Sequence, residues 1–216
     1  MPATINLNAD LGESFGAWRM GSDDEMLPLV DSANVACGFH AGDPLVLRKT
    51  LRLAREHGVS VGAHPSYPDL QGFGRRSMAM APDELEAAIL YQIAALDGLA
   101  RVEGTAVNHV KPHGALNNAA CASRALAETV VRAIRAYGRD LILLAPALSE
   151  LYVAGEAAGL PVVAEVFADR AYQDDGQLVP RSQPGAMIHG PEASFAHVER
   201  MLAEGAIVSL NGKRLP

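Results

Sequence analysis

Cysteine is scarce in this 216-residue sequence, which has two, Cys37 and Cys121. They lie far apart and form neither a disulfide framework nor a CxxC metal or redox site. We therefore expect two buried thiols in a reducing, cytoplasmic compartment. The N-terminal segment has no basic stretch followed by an apolar one, and no run approaches the roughly 20 apolar residues of a membrane span. Secretion and membrane insertion are disfavoured.

Positive charge is also in deficit, with 18 Lys and Arg against 25 Asp and Glu and a net charge of -7. This balance argues against binding along a phosphate backbone, so we expect no nucleic-acid partner. The phosphate-binding pattern GxxxxGK[ST] is absent, so the chain has no motif for binding ATP by itself. A hydrophobic fraction of 49% is enough to bury a substantial core.

Short apolar runs alternate with helical patterns along the chain, which predicts βα units. A capping-box spacing at Ser22 and Glu25, the pair Asp43 and Pro44, and glycines at 58 and 138 mark helix ends. We predict strands at 4–10, 33–39, 59–64, 106–113, 141–146, 161–168 and 206–210, and helices at 22–30, 43–58, 82–104, 124–138, 149–159 and 191–205. Parallel strands closing toward a barrel fit this order, because short connections favour right-handed crossovers. An antiparallel sheet with one wet face is the alternative.

Three strands show a period of two that separates an apolar face from a small and polar one. Each polar face leads to an ionisable residue at the strand's carboxyl end: Asp10, His40 and His64. If the strands are parallel, these ends converge on one rim, where barrel enzymes place their chemistry. The same three residues also form a possible set of ligands for a divalent metal, although no HExxH-like signature supports it. Metal binding therefore stays open.

Further ionisable residues follow the same rule. His109, Lys111 and His113 share one strand parity and need acidic partners or an anionic ligand. Asp10, Glu13 and Glu165 supply such carboxylates, and Glu165 and Asp10 are the expected partners of Lys111. The alternatives are a solvated strand end for the basic residues and a structural ion pair for Glu165. The candidate catalytic set is Asp10, Glu13, His40, His64, Lys111, His113 and Glu165.

Two connections, 65–78 and 168–185, exceed the usual length of βα loops. Their arginines suit a carboxylate or a phosphate, unless both are ordinary surface loops. The candidate substrate-binding set is Arg75, Arg76, Arg170, Tyr172 and Arg181.

The motifs NADLGESFG, ANVACGFHAGDP, GAHPSYPDLQGFGRR, VKPHGAL and EVFADRAYQDDGQLVPRSQPGA resemble those of the LamB/YcsF family, from about Asn6 to Gly185 and beyond. The resemblance implies an α/β fold, a distorted (β/α) TIM-like barrel with parallel strands related to glycoside hydrolase/deacetylase barrels. It implies the hydrolytic A subunit of 5-oxoprolinase, which opens 5-oxoproline to glutamate while two partner subunits consume ATP. The pattern departs from the family at Asn108 and Asn117, where His and Tyr are common, so a role of that tyrosine is not carried over.

The resemblance also implies a single domain over 1–216 that lacks a C-terminal strand and helix. In the implied reaction, Asp10 or His64 is the general base, Lys111 and His113 stabilise negative charge, and the arginines hold an anion. Two alternatives stay open, a metal-dependent deacetylase-type hydrolase and a non-catalytic scaffold that positions substrate.

Overall fold

The central feature of the fold is a curled half-barrel of six parallel strands. The computed structural model describes residues 5–138 and 140–215. The strands are β1 (Asn8–Leu11), β2 (Ser32–Ala36), β3 (Ser60–His64), β4 (Val107–Val110), β5 (Ile142–Pro146) and β6 (Val162–Glu165). They lie side by side in chain order, and all five pairings are parallel. The prediction of parallel strands is confirmed, and the antiparallel alternative is wrong.

Seven helices lie in the described part of the chain: α1 (Asp23–Met26), α2 (Pro44–His57), α3 (Pro82–Val102), α4 (Gly114–Ala122), α5 (Arg124–Ala136), α6 (Glu150–Ala157) and α7 (Pro191–Glu204). A 3-10 turn, Leu27–Leu29, follows α1. No helix in the described ranges is long and apolar enough to cross a membrane.

The observed helix ends test the predicted capping residues. Asp43 accepts hydrogen bonds from the backbone N–H groups of Leu45 and Val46 at 2.8 and 3.1 Å, as expected of an N-cap before Pro44. Gly58 ends α2 with a φ of 69°. The predicted capping box at Ser22 is wrong, because its side chain makes no capping hydrogen bond. Helix α4 was not predicted at all.

The core lies between the sheet and the helices that cross over it. Helix α3 contributes Ile89, Ile93, Leu96 and Ala100, all fully buried, because their spacing places them on one face. They pack with strand residues such as Val61 and Val107 in one continuous apolar cluster. Burying one large aliphatic side chain contributes about 1.5–3 kcal/mol. This packing fixes the strand ends relative to one another.

The last predicted strand does not join the parallel sheet. Residues Ile207–Val208 form β7, which pairs antiparallel with β8 (Arg214–Leu215). The long connection after β6 forms its own bridges, Arg170 with Met187 and Tyr172 with Leu178. The backbone N–H of Leu210 donates to the carbonyl of Tyr172 at 2.8 Å. The C-terminal strands therefore pack on this connection instead of extending the sheet.

Candidate active site

A cavity of about 580 Å³ opens at the carboxyl ends of the parallel strands. Its polar lining includes four residues of the candidate catalytic set, Asp10, His64, Lys111 and His113. Glu165 contacts Lys111, Glu13 contacts His113, and the ring of His40 stacks on that of His113. The seven candidate catalytic residues thus lie together at one rim.

Lys111 is buried between two carboxylates. Its Nζ lies 2.7 Å from Oε1 of Glu165 and 3.0 Å from Oδ1 of Asp10. Burial alone lowers the pKa of Lys111, but the two carboxylates outweigh it and raise that pKa above its ordinary value. The expected pairing of Lys111 with a carboxylate is found with both candidates.

Asp10 differs from Glu165 because its side chain opens to the cavity, with 38% of it exposed against 3%. Desolvation raises the pKa of Asp10, but His64 and Lys111 together hold it well below its ordinary value. Asn34 Nδ2 also donates to Oδ1 of Asp10 at 2.9 Å and to Oδ1 of Asn8 at 2.7 Å. Asp10 is therefore an ionised, firmly positioned carboxylate at the cavity surface.

Glu13, His40, His64 and His113 form a second group, with one ligand atom from each lying within 4.8 Å of all the others. The group contains two of the three predicted metal ligands, His40 and His64, together with Glu13 and His113. Burial lowers the pKa of His40 and of His113 to about 3, which keeps both rings neutral. Burial also acts to lower the pKa of His64, but Asp10 outweighs it and raises that pKa. Burial raises the pKa of Glu13.

The strands position these side chains unequally. His64 is the last residue of β3, whereas β2 ends at Ala36 and His40 follows a turn at Gly38, where φ is 90°. Lys111 and His113 follow β4, and their backbone N–H groups donate to the carbonyls of Ala63 and Pro65, each at 2.9 Å. His40 therefore lies at the predicted rim, but a turn places it there and not the alternation of side chains along β2.

His109, which shares that predicted parity, faces a different environment. Its Nε2 donates to Oδ1 of Asn34 at 2.9 Å inside the half-barrel. Gly62 makes room for the ring, because a Cβ there would lie 2.1 Å from Nε2 of His109. His109 thus positions the side chain of Asn34, which in turn donates a hydrogen bond to Asp10.

The arginines of the two long loops separate into two groups. Arg75, Arg170 and Arg181 line the cavity. Arg76 instead pairs with Asp69 while most of its side chain is exposed, and it does not line the cavity. Arg170 is buried, donates from Nη2 to the carbonyl of Val179 at 2.7 Å, and has an Nε without a partner among the described residues.

Tyr172 lines the cavity too, but its hydroxyl accepts a hydrogen bond from the backbone N–H of Phe167 at 2.8 Å. It therefore helps to hold the loop. Asn117 also lines the cavity. The sequence analysis did not include Asn117, Asn8 or Asn34 among the site residues. Asn8 and Asn34 could have been found, because both lie on the polar faces of the first two strands.

Comparison with known proteins finds that residues 5–216 match the LamB/YcsF family. The A subunit of 5-oxoprolinase from Azoarcus sp. (strain BH72) is 66% identical over 209 residues, covering 97% of this chain and 82% of that protein. The A subunit of 5-oxoprolinase from Symbiobacterium thermophilum is 54% identical, covering 98% and 81%. Among solved structures, a lactam utilization protein from Thermus thermophilus aligns with a TM-score of 0.93 at 47% identity, covering 98% of this chain and 86% of that one.

Proposed function

The chain belongs to the LamB/YcsF family, and on that premise we propose that it is the hydrolytic A subunit of an ATP-dependent 5-oxoprolinase. The proposal includes a cytoplasmic location, two partner subunits that consume ATP, and a single domain over 1–216. The observation that carries it is the cavity in which an ionised Asp10 and the buried cation of Lys111 face an arginine-lined rim.

The arginine rim suits an anionic substrate. Arg170 brings a buried guanidinium whose pKa is lowered by desolvation and by the neighbouring Arg181. An anion between these groups would relieve both effects, because it pairs with the charge and supplies an acceptor for Nε. The carboxylate of 5-oxoproline and a phosphoryl group are both anions of this kind.

A lactam carbonyl is a poor electrophile, so the proposed reaction starts from a lactam whose oxygen the partner subunits have phosphorylated. Water then attacks C5, its proton passes to Asp10, and a new C–O bond forms. The C5–N bond breaks as that proton is delivered to the ring nitrogen, and the second proton of the water leaves to solvent as the new C=O bond forms. The product is an acyl phosphate of glutamate, from which a second water releases phosphate.

The pKa shifts favour Asp10 over His64 as the base. Asp10 stays ionised, whereas the raised pKa of His64 favours the protonated form, which has no lone pair to accept a proton. The ammonium of Lys111, 3.0 Å from Asp10, supplies positive charge for the attacking oxygen as it loses its proton and for the phosphoryl group on the former carbonyl oxygen. His113 is neutral, so it adds no positive charge there.

The test is a reconstitution with purified partner subunits, 5-oxoproline and ATP, in which glutamate and ADP are measured. We expect negligible turnover by the chain alone, and turnover in the complex that falls about 10²–10⁴-fold in Asp10→Asn. His57→Asn, at the exposed end of α2, is the matched control and should retain full turnover.

Two results would overturn the proposal. Robust glutamate release by the isolated chain without ATP would favour the metal-dependent, deacetylase-type hydrolase, a second candidate that the cluster of three histidines and Glu13 supports. Full turnover by the complex with Asp10→Asn would favour a scaffold that only positions substrate.

A further inference from the structure

Two buried imidazoles, His64 and His113, meet edge-on, and Nε2 of His64 lies 3.0 Å from Nδ1 of His113. Nδ1 of His64 lies 2.6 Å from the carbonyl oxygen of Lys111, and Nε2 of His113 lies 2.9 Å from that of Phe73. A carbonyl only accepts hydrogen bonds, so each of these nitrogens carries the N–H of its ring. A neutral imidazole has only one N–H, so with both rings neutral the other nitrogens, 3.0 Å apart, both present lone pairs.

Two lone pairs at 3.0 Å repel unless a cation lies between them, and that cation is either a proton on His64, as in the metal-free site, or a metal ion in its place. Carboxylates surround the same point: Oε1 of Glu13 is 3.4 Å from Nδ1 of His113, and Oδ2 of Asp10 is 3.3 Å from Nε2 of His64. With Glu165, the region holds three carboxylates, against the buried ammonium of Lys111 and the guanidinium of Arg75, which acts on Glu13. The geometry and the remaining negative charge both favour a further cation here.

The distances fit a metal ion of ordinary size. A tetrahedral zinc ion binds nitrogen and oxygen at about 2.0–2.2 Å, which places neighbouring ligand atoms roughly 3.3–3.5 Å apart. The contacts of His113 Nδ1 with His64 and with Glu13 are 3.0 and 3.4 Å. Both histidines also donate their remaining N–H to a backbone carbonyl, the arrangement that metal-binding histidines commonly use to fix the tautomer.

His40 has a different place in the cluster. Its ring stacks on that of His113, with centroids 3.8 Å apart and planes 9° from parallel, so one ion cannot lie in the plane of both rings. Its Nε2 lies 3.1 Å from Oε1 of Glu13 and can donate a hydrogen bond to it. We assign His40 to orienting the Glu13 carboxylate.

We propose that Glu13, His64 and His113 bind a divalent transition metal of the zinc class, with His40 as a positioning residue and a coordination position open toward the cavity beside Asp10. Imidazole and carboxylate ligands suit such ions, and three protein ligands with an open position are typical of catalytic rather than structural zinc. The proposed metal binding does not depend on the proposed 5-oxoprolinase activity. Only its use there, to lower the pKa of the attacking water, rests on that function.

The experiment measures metal binding without partners, ATP or 5-oxoproline, so its outcome is independent of the proposed reaction. The purified chain is stripped with a chelator and titrated with Zn²⁺ by calorimetry and with Co²⁺ by visible absorption. We expect one bound ion per chain and the intense absorption of tetrahedral Co²⁺. His40→Asn should weaken binding about 10–100-fold, as expected for a supporting residue, and Glu13→Gln and His113→Asn should weaken it more.

His57→Asn is the matched control, because this histidine lies on an exposed helix end, and it should bind as the unchanged chain does. Circular dichroism checks that each variant folds, and Glu13→Gln is chosen because it keeps the shape of the side chain. Absence of Zn²⁺ and Co²⁺ binding by the unchanged chain would overturn the proposal and leave a proton on His64 as the cation. Undiminished binding by Glu13→Gln and His113→Asn would also overturn it.

Discussion

Lys111 is the residue on which the charge balance of the site depends. Its ammonium is the cation held between Asp10 and the buried Glu165. Lys111→Met would leave Glu165 buried without that partner, and removing one member of a buried ion pair typically costs about 3–5 kcal/mol. We expect a loss of this size in the free energy of unfolding, measured by urea denaturation, together with loss of turnover in the reconstituted complex.

A double variant separates the stability effect from the chemical one. Lys111→Met with Glu165→Gln removes the buried charge, so it should regain part of the lost stability while turnover stays absent. If the double variant recovers turnover as well, Lys111 is architectural and the charge-stabilising role falls.

At the scale of elements, Glu103 joins α2 to the end of α3. Its carboxylate accepts from Nε of Arg52 at 2.6 Å and from Nε of Arg48 at 2.5 Å, and these bonds lower its pKa to about 2. A lowered folded-state pKa contributes stability that is present above the unfolded value of about 4.3 and is lost as pH falls toward the folded value. We therefore expect the stability difference between the unchanged chain and Glu103→Gln to be full at about pH 6 and to shrink between about pH 5 and 2.

Urea midpoints measured across that range check this prediction. Glu128→Gln is the control, because its partner Arg124 is one turn away on the same helix and both side chains are about half exposed. Such a pair contributes little, so this variant should follow the unchanged chain at every pH. A constant difference for Glu103→Gln down to about pH 2 would contradict the pKa argument.

Elements with strong local signals were predictable from the sequence, and elements that depend on tertiary packing were not. The Asp43 cap and the Gly58 end of α2 follow from single residues. Helix α4 begins at a glycine and contains two asparagines, which have low helix propensity, and it is held by the burial of Leu116 and Ala120. The final strand was predicted from composition, but its partner is set by the path of a long loop.

The candidate site divides in the same way. Asp10 and His64 were predictable because parallel strands bring their carboxyl ends to one edge. Glu13 was placed at the same site, but its specific contact with His113 was not predictable, because it depends on the loop that passes Gly74. At Gly74 φ is 62°, and a Cβ would lie 2.9 Å from both the His113 ring and the Cβ of His40. Sequence spacing contains no information about such a close approach.

At the scale of the whole molecule, the cavity lies between two parts with different amounts of packing. Asp10 and Lys111 belong to the sheet, whose apolar cluster extends from β1 to α6. Arg170 and Arg181 belong to the loop after β6, which packs with the C-terminal strands around two small separate clusters. The proposed base, Asp10, therefore lies in a more extensively packed part of the chain than the proposed anion-binding arginines do.

This difference predicts two levels of hydrogen exchange in the native chain. Segments with little buried apolar surface open at lower free energy than the main core does. Amides of β2, β3 and β4 should exchange only through global unfolding, whereas amides in residues 167–215 should exchange through a smaller opening that depends weakly on denaturant. Native-state exchange followed by mass spectrometry at increasing, sub-denaturing urea separates the two. If all segments share one opening free energy, the chain is a single cooperative unit and the loop arginines are as firmly held as Lys111.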